Sequence, residues 1–477
     1  MNYFFPVESS KRDIDSRIII AANILNLKDD SKIFIYYYKK LNEVLKSSNK
    51  KESIILENGP NNYDSLSYLR LVNKKIYLSL IDEEGGVLTK HQDYDRTGFN
   101  NFFIKKYINI FSWGEVSKKK ILKRHQKVFS KNKNNIVVSG NPRFELCKKK
   151  YDNFYIKDKR NREKKILINF AFGAANNLVP FKDECLYWRN SSSTVDDFYK
   201  RNFPAVNYQN KLIIKFIEGI KFLIKNSKKT EFIIRFHPVE NSKIYIDNFK
   251  NFKNVEIDKK SSIQSAIRRS NLVIHSGCTT ALESTIYDLP VIAFIPKVEG
   301  EEKNQQYLTL LTGKTIRDKK KLLKIVSKGK NSNYKVYKTS KKKKKILTKH
   351  IIDFGDNNSA LSIAFEMVKN FKKRTIVEEL SAYFLYAVFM VYKKVVHYFK
   401  VILSNQTKDQ TKNINFKKIL KKMKIRSKIN FNNMETKEIN EKFYLMSKIL
   451  KIDSKEKKFT INKIANNAFM IQNTILK

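Results

Sequence analysis

The stretch from Lys259 to Pro296 limits what this chain can fold into more than any other part of its sequence. An apolar run, Leu272 to Ile274, is typical of a buried parallel strand. It stops at a turn of small residues, Ser276 to Thr280, after which come a helical pattern and a second apolar run, Val291 to Ile295. Strand, turn, helix and strand in this order predict part of a doubly wound parallel sheet.

The turn between these elements is a candidate anion site. It opens a helix, where free backbone N–H groups and the helix dipole favour negative charge. The residues predicted to bind a phosphate-bearing substrate are Ser276, Gly277, Thr279 and Thr280. An ordinary Ser/Thr helix cap is the alternative.

A second strand end lies upstream. The run Glu231 to Phe236 reads as a strand, and Arg235, His237 and Pro238 stand at its carboxyl end. Parallel strands of one sheet open onto the same crevice at these ends. We therefore expect the His-Pro pair and the Ser/Thr turn to lie at a common edge.

Length and charge set the class of protein. A chain of 477 residues exceeds one core, so two domains and an appendage are expected. The formal charge of +50 favours polyanionic partners. The three cysteines have no metal-ligand spacing, which fits a reduced, cytoplasmic compartment. The amino-terminal residues lack a signal-peptide pattern, and no run reaches the roughly 18 apolar residues of a membrane-spanning helix.

Short apolar strands alternate with helical patterns along most of the chain, which predicts parallel sheets. The alternation is broken at Gly140-Asn141-Pro142-Arg143 and restarts at Ile166. The predicted fold is α/β, with two Rossmann-like domains facing a cleft, at 1–142 (acceptor side) and 143–370 (nucleotide-sugar side). Residues 371–477 are predicted to be a helical, basic appendage that is partly disordered.

Three carboxylates, Asp82, Glu83 and Glu84, follow the predicted strand at Lys75 to Leu80. Ligands bind at such strand ends, so the cluster predicts a catalytic carboxylate. A solvated acidic loop is the alternative. Asp93-Tyr94-Asp95 spells the D-x-D metal motif of another transferase fold, but it lies in a loop-like context, and no metal is predicted.

Two facing Rossmann-like domains are the arrangement of GT-B glycosyltransferases. The order acid-acid-Gly, His-Pro, Ser/Thr also resembles three motifs of bacterial CMP-sugar transferases such as sialyltransferases. Glu83-Glu84-Gly85 and His237-Pro238 match directly. Ser276 with Thr279-Thr280 matches loosely, because Gly277 and Cys278 intervene.

A closer resemblance covers most of the first 310 residues. The chain resembles the bacterial surface carbohydrate biosynthesis protein family, which is itself distantly similar to CDP-glycerol glycerophosphotransferases. The matching segments are 6–21, 80–86, 111–122, 138–146, 166–177, 233–240 and 273–284. Nothing beyond about residue 370 takes part.

The resemblance implies a metal-independent glycosyltransferase of surface polysaccharide or lipopolysaccharide synthesis. The donor would be a nucleotide-sugar, most simply a CMP-linked ulosonic acid, and no other cofactor is expected. Glu83 would be the base, with Asp82 and Glu84 as alternatives, and His237 would assist the leaving phosphate. Glu283 would accept ribose hydroxyls, and Arg235 and Arg143 would meet a donor carboxylate.

Three other functions remain open at this point. A glycerophosphotransferase would use His237 as its base, and a GT-B-like sugar-nucleotide epimerase would use a similar cleft. A nucleic-acid-binding protein would explain the charge. However, no nucleic-acid module is recognisable and the Lys runs lack interleaved aromatics, so no nucleic-acid partner is expected.

Two segments suggest contact with an anionic membrane. The run Arg317 to Lys349 is strongly basic, and Ile376 to Leu403 is rich in aromatics and flanked by Lys. The acceptor would then be a glycan, lipid-linked or free, at the inner face of the cytoplasmic membrane. A solvated Lys-rich loop and an ordinary packed helix are the alternatives.

Overall fold

The computed structural model describes residues 1–48, 52–59, 75–83, 104, 107–129, 136–156, 165–181, 183, 195–328, 334–369, 384, 391, 395, 434–452 and 457–475. These residues form two α/β units, each built around its own sheet of mainly parallel strands. The predicted two-domain α/β fold is confirmed.

The first sheet is assembled largely from the beginning of the chain. Its strands are β1 (Asn2–Val7), β2 (Lys32–Tyr37), β3 (Ser53–Glu57), β4 (Ile76–Ile81), β5 (Tyr107–Ser112), β6 (Ile136–Val138), β13 (Lys457–Ala465) and β14 (Ala468–Ile475). Their order in space is β13-β14-β2-β1-β3-β4-β5-β6. The strands β1 to β6 pair in parallel, and their apolar side chains are buried as expected for such a sheet.

The second sheet lies entirely between residues 165 and 316. It contains β7 (Lys165–Asn169), β8 (Phe232–Arg235), β9 (Val255–Ile257), β10 (Ser270–His275), β11 (Val291–Phe294) and β12 (Lys314–Ile316). The order is β12-β11-β10-β7-β8-β9, with every pair parallel. The strand order reverses beside β7, as in doubly wound sheets.

Helices connect the strands and cover the sheets. In chain order they are α1 (Ser10–Leu27), α2 (Leu41–Ser47), α3 (Glu115–Arg124), α4 (Gln126–Phe129), α5 (Pro142–Glu145), α6 (Asp152–Tyr155), α7 (Val195–Lys225), α8 (Lys243–Phe249), α9 (Ile263–Arg268), α10 (Thr280–Ile286), α11 (Glu301–Asn304), α12 (Tyr307–Leu310), α13 (Lys319–Lys328), α14 (Lys341–His350), α15 (Ser359–Lys369) and α16 (Thr436–Ile449). Short 3₁₀ turns lie at Tyr38–Lys40, Lys149–Tyr151, Tyr334–Tyr337 and Ile352–Phe354.

Helix α1 is the centre of the first core. Buried side chains of α1 pack with those of α15 and α16 on one face of the sheet. The same core includes Leu146 and Tyr151, which follow the predicted domain boundary at residue 142. The first core thus continues beyond residue 142, and the boundary placed there stays a prediction, because a chain break read from Gly and Pro does not reveal which core the next helices join.

The second core is aromatic. Phe170 contacts Phe216 and Tyr245, at ring-centroid distances of 5.0 and 4.6 Å. Phe294 continues the cluster at 5.6 Å from Phe216. Helix α7 supplies Phe216, so α7 packs on Phe170, directly after β7, and on Phe294 of β11.

The carboxyl-terminal region differs from its prediction. Strands β13 and β14 form an antiparallel hairpin, and β14 pairs antiparallel with β2. Residues 457–475 therefore extend the first sheet, and the prediction of a helical, partly disordered appendage over 371–477 is wrong for this part. In β13, apolar Phe459 and Ile461 alternate with polar Thr460 and Asn462, which is typical of a strand in a sheet with one exposed face.

The predicted interfacial segment, Ile376 to Leu403, lies outside the described residues except at three single positions. Within the described ranges, no helix combines the length and the apolar character that crossing a bilayer requires.

Candidate functional site

The carboxyl edge of the second sheet carries a row of polar side chains. Asn169 of β7 pairs in register with Arg235 of β8 on one side and with His275 of β10 on the other. Partners in register on neighbouring parallel strands share a face of the sheet, so these three side chains lie side by side. The His237 loop and the Ser276 turn continue directly from this row.

His237 is exposed in the loop that follows β8. Its Nδ1 accepts the N–H of Val239 at 3.3 Å, and Pro238 occupies the turn between them. Because Nδ1 is an acceptor, a neutral ring carries its proton on Nε2. Nε2 is then a hydrogen-bond donor, which suits the predicted contact with a leaving phosphate.

Arg235 is held by acceptors on its own side of the sheet. Its Nη1 lies 3.1 Å from Asp258 Oδ2 and donates to the carbonyl of Ser261 at 2.6 Å. Burial alone would raise the pKa of Asp258, but the Arg235 charge and hydrogen bonds from Ser261 and Lys260 keep that pKa at about 2. Much of the Arg235 charge is thus already balanced within the protein.

His275 organises the Ser276 turn from inside, and sequence reasoning missed it. The ring is fully buried, and its Nδ1 accepts the N–H groups of Gly277 at 3.0 Å and Cys278 at 3.4 Å. Burial lowers the pKa of His275 to about 3, so the ring is neutral at ordinary pH. These two amides are therefore already bonded within the protein, and the anion contact of the turn stays a prediction.

Thr280 is also engaged. Hydrogen bonds from Thr280 and from Asn169 Nδ2, at 3.2 Å, reach the sulfur of Cys278. The hydroxyl of Ser276 is buried without a partner in the described part of the chain. Helix α10 is only seven residues long, so its dipole is small. Ser276 and Thr279 are thus the residues of this turn that remain suited to a ligand.

Gly277 is required by the shape of the turn. Its φ is +100°, and a Cβ there would lie 2.0 Å from Gln305 Nε2. Backbone conformation and close packing thus account for a glycine here, and the predicted contact of Gly277 with a substrate stays a prediction.

Glu283 and Arg143 face each other across the two halves of the chain. Arg143 Nε lies 3.1 Å from Glu283 Oε1, and both side chains are almost completely buried. Burial raises the pKa of Glu283, although the charges of Arg143 and Arg235 oppose this. Sequence reasoning assigned the two residues to different parts of a donor, and the structure instead joins them in one ion pair.

The carboxyl edge of the first sheet holds the predicted acids. Glu83 Oε1 lies 2.9 Å from Arg17 Nη2, and Glu83 Oε2 accepts Asn141 Nδ2 at 3.2 Å. The Asp82 carbonyl accepts the indole N–H of Trp113. Glu83 and Asp82 are both buried, whereas Glu84 lies outside the described residues.

Arg17 is a second residue that sequence reasoning missed. It is fully buried on α1, and it also donates to Asn58 at the end of β3. Its Nε and Nη1 have no partner in the described ranges. The available signal was a charged residue directly before three consecutive Ile, on the face of a helix that must pack inward.

Asp353 fixes the position of Asn141 and hence of Glu83. The N–H of Asn141 donates to Asp353 Oδ2 at 2.8 Å. Burial raises the pKa of Asp353 to about 7, against hydrogen bonds from Ser359 and Asn141 that lower it. A side chain at Gly140, whose φ is +78°, would lie 2.4 Å from the same oxygen. A side chain at position 140 would therefore clash with the carboxylate that accepts the Asn141 N–H, and Asn141 in turn donates to Glu83.

The first turn of α1 connects the two edges. Lys11 Nζ donates to the carbonyl of Lys259, and burial and the nearby Arg235 charge lower the pKa of Lys11. The next residue, Arg12, pairs with Asp13 at 2.7 Å, and the charges of Asp13 and then Glu83 raise its pKa. Two consecutive residues of the first unit thus interact with different edges, Lys11 with the second edge and Arg12 with the first.

In the ranges that the structure describes, no group of three or more His, Cys, Asp and Glu residues is arranged to hold a metal ion. Asp93 and Asp95 of the D-x-D motif lie outside these ranges. The prediction of a metal-independent reaction stays a prediction.

Known protein structures are similar to this chain in fold. No family model and no curated protein matches the sequence, so neither supports the resemblance read from its motifs. The wall teichoic acid polymerase TagF is 11% identical, with a TM-score of 0.48 over 78% of this chain and 88% of TagF. The UDP-GlcNAc 2-epimerase of Methanocaldococcus jannaschii is 15% identical, with a TM-score of 0.44 over 77% of this chain and 99% of its own.

The UDP-GlcNAc 2-epimerase of Neisseria meningitidis is 12% identical, with a TM-score of 0.42 over 77% of this chain and 99% of its own. At identities this low, these structures are similar to the chain in fold alone. With TM-scores below 0.5, they carry no conclusion about its reaction.

Proposed function

We propose that this protein is a glycosyltransferase of surface polysaccharide synthesis that uses a nucleotide-sugar donor. The observation that carries the proposal is the first turn of α1, where Lys11 Nζ donates to the carbonyl of Lys259, just after β9, and Arg12, paired with Asp13, lies in the field of the Glu83 carboxylate. The carboxyl edges of two doubly wound sheets therefore adjoin at this turn. Such edges are where ligands bind, and here one carries a carboxylate and the other an imidazole donor.

Glu83 is the proposed base. Its carboxylate has about four acceptor positions, of which the contacts with Arg17 and Asn141 use two. It would take the proton of the acceptor hydroxyl while the sugar–phosphate bond breaks and the new glycosidic bond forms. Asp82 and Glu84 remain the alternatives for this role.

His237 and the Ser276 turn are proposed to serve the leaving nucleotide. The Nε2–H of His237 would donate to the phosphate as negative charge develops on it. The hydroxyls of Ser276 and Thr279 would add further donors. In this proposal no step uses a metal ion, because protein donors meet the charge of the leaving group.

The donor is proposed to be a CMP-linked ulosonic acid. The order of the three motifs supports this, and so does the presence of Arg235 and Arg143 near the second edge, since an ulosonic acid carries a carboxylate. Arg143 would have to leave its ion pair with Glu283 to meet that carboxylate. Glu283 would then be released to accept the ribose hydroxyls.

One observation separates this proposal from glycerophosphate transfer. A His237 base would need its proton on Nδ1 and a lone pair on Nε2. The hydrogen bond from Val239 to Nδ1 favours the opposite tautomer. Donation to a phosphate therefore suits His237 better than proton abstraction.

A panel of nucleotides tests the donor. CMP and CMP-sugars should raise the melting temperature of the full chain, because a ligand that binds only the folded state stabilises it. A response to CDP-glycerol alone would favour glycerophosphate transfer, and a response to UDP ligands alone would favour the epimerase. Binding of RNA that weakens with salt, without any nucleotide response, would favour the nucleic-acid alternative.

Single substitutions test the roles. E83Q and H237N should each lower turnover by about a hundredfold or more if the residues do acid–base work. E84Q and D82N in the same series show which acid is the base, and E115Q, at an exposed position on α3, is the control. Full activity of E83Q would remove Glu83 from the mechanism.

We also propose that the protein works at an anionic membrane surface, where lipid-linked acceptors are found. The basic run Arg317 to Lys349 contains α13 and most of α14, and exposed Lys341, Lys342 and Lys345 lie on α14. Helix α14 packs against α3, which is also rich in Lys. Each well-placed Lys would contribute roughly 1 kcal/mol at an acidic surface.

Co-sedimentation with vesicles tests this second proposal. Binding should require acidic lipid, weaken at high salt and fall after removal of Ile376 to Leu403. Equal recovery in the supernatant with neutral and acidic vesicles would overturn it.

A further inference from the structure

Two loops at the second edge are joined by backbone hydrogen bonds. One follows β7 and covers residues 170–179, and the other follows β8 and covers residues 236–241. The N–H of Leu178 donates to the carbonyl of Val239 at 2.9 Å, and the N–H of Asn241 donates to that of Asn176 at 2.8 Å. The loop that carries His237 therefore has the loop after β7 as its support.

A single carboxylate lies at the junction of these loops. Oε1 of Glu240 accepts the N–H of Phe172 at 2.9 Å and the N–H of His237 at 3.3 Å. Its Oε2 accepts the hydroxyl of Tyr245, whose ring stacks on Phe236 at 4.8 Å. One oxygen thus serves the backbone of both loops.

This carboxylate is costly to bury. Glu240 is 2% exposed and, unlike Glu83, forms no ion pair in the described part of the chain. Burial raises its pKa to about 7, although the bonds from Tyr245, Phe172 and His237 oppose the shift. Without Glu240, two backbone N–H groups at this junction would lose their acceptor, which also carries a penalty. The geometry of its bonds therefore accounts for Glu240 better than its charge does.

We propose that Glu240 is a positioning residue that sets the place of His237 by tying its backbone to the loop after β7. This inference rests on the proposed role of His237 in the transfer reaction. The length of the side chain is the essential property, since Oε1 has to reach both amides. Its negative charge is dispensable, because an amide oxygen accepts the same two bonds.

Two substitutions separate length from charge. E240Q keeps the length, and its Nε2 can donate to the Tyr245 oxygen while Oε1 accepts from both amides. E240D keeps the acid but is one methylene shorter, so it cannot span the two amides. D247N, at an exposed pair with Lys243, is the control.

Turnover is the first readout. E240Q should retain wild-type kcat within about twofold, and E240D should lose about tenfold or more in kcat with a smaller change in KM, because a displaced catalytic group acts on the chemical step. Loss of kcat in E240Q with retention in E240D would overturn the proposal, since charge would then be the essential property.

Hydrogen exchange of the full chain is the second readout, and it does not depend on activity. E240D should speed exchange at the amides of Phe172 and His237, and E240Q should not. Unchanged exchange in E240D would overturn the proposal even if activity fell.

H237N, measured in parallel, separates this inference from the proposed function. Full turnover of H237N would refute the catalytic role of His237 and with it the positioning role of Glu240. A loss in H237N, with faster exchange but full turnover in E240D, would refute the role of Glu240 alone.

Discussion

The two sheet edges satisfy a buried carboxylate in different ways. At the first edge, Glu83 is paired with a buried cation, Arg17, and with the amide of Asn141. At the second edge, the donors to Glu240 within the described ranges are all neutral, two backbone N–H groups and a phenol. An ion pair fixes the charge of its carboxylate, whereas neutral donors fix mainly its position. The difference suggests that charge is the functional property at the first edge and geometry at the second.

The largest expected loss of folding stability comes from breaking the Arg17–Glu83 ion pair. R17M would leave Glu83 buried without its cation, and removal of one partner of a buried pair costs about 3–5 kcal/mol. Urea unfolding should show this loss, and the double variant R17M/E83L should recover part of it. K40M, which breaks an exposed pair with Glu43, should change the free energy of unfolding by less than about 1 kcal/mol. Equal effects of R17M and K40M would contradict the comparison.

The pH dependence of stability is the next largest effect. The pKa of Glu240 is raised to about 7, so the folded state binds its proton more tightly than the unfolded state does. The stabilisation is present below the unfolded pKa near 4.5 and is lost as the pH rises through 7. The difference in unfolding free energy between wild type and E240Q should therefore fall by about 3 kcal/mol from pH 4.5 to 7.5.

The pH dependence of stability can also be compared near the first edge, at Asp353. D353N should behave like E240Q, because the pKa of Asp353 is also raised to about 7. His275 provides the opposite sign, since burial lowers its pKa to about 3. The difference between wild type and H275N should rise with pH up to about 6.5. A flat difference for all three variants would show that these groups titrate alike in the folded and unfolded states.

Much of the fold could be predicted because buried parallel strands read as short apolar runs. β4, β8, β10 and β11 were each found in this way. The hairpin at residues 457–475 was not, since its exposed face carries Lys and Asn and its run resembles a polar tail. Its sheet partner, β2, lies at the other end of the chain, and pairing over such a distance has no local signal.

The site was predictable at strand ends and no further. The positions of Glu83 and His237 could be predicted because topology alone places strand ends at the edge of a sheet, while their roles stay predictions. His275, Arg17 and Glu240 were missed, since each matters through a contact with a residue distant in sequence or through a buried hydrogen bond. Periodicity shows which way a side chain faces, but it does not show which amide or carboxylate that side chain meets.

A smaller effect is expected from the two glycines that shape the edges. In G140A the new Cβ would lie 2.4 Å from Asp353 Oδ2, at φ +78°, which should cost about 2 kcal/mol and displace Asn141. In G277A the obstacle is the flexible end of Gln305, so about 1 kcal/mol is expected, chiefly from φ +100°. G355A, with its nearest neighbour at 3.4 Å, is the control. Denaturant midpoints would rank the three, and the reverse order would place the tighter fit at the second edge.

The smallest effect on stability is expected far from both edges. Replacing Lys341, Lys342 and Lys345 of α14 with Ser should change the unfolding free energy by no more than about 0.5 kcal/mol per position, because these side chains are exposed. Binding to acidic vesicles should nevertheless weaken. The matched control replaces Lys221, Lys225 and Lys228, which are also exposed. Equal loss in both triple variants would mean that net charge, and not the α14 surface, governs binding.

The hairpin of β13 and β14 has a consequence for the order in which a ribosome completes the two units. Strand β2 emerges early, but its neighbour β14 follows only after residues 38 to 467 have been made. All strands of the second sheet lie between Lys165 and Ile316, so that sheet can close while β2 still has an unpaired edge. An unpaired edge is a template for pairing with other chains. The first unit is therefore begun before the second unit and completed after it. In a nascent chain, the strand edge most exposed to aggregation is that of β2, which is among the first strands to be synthesised.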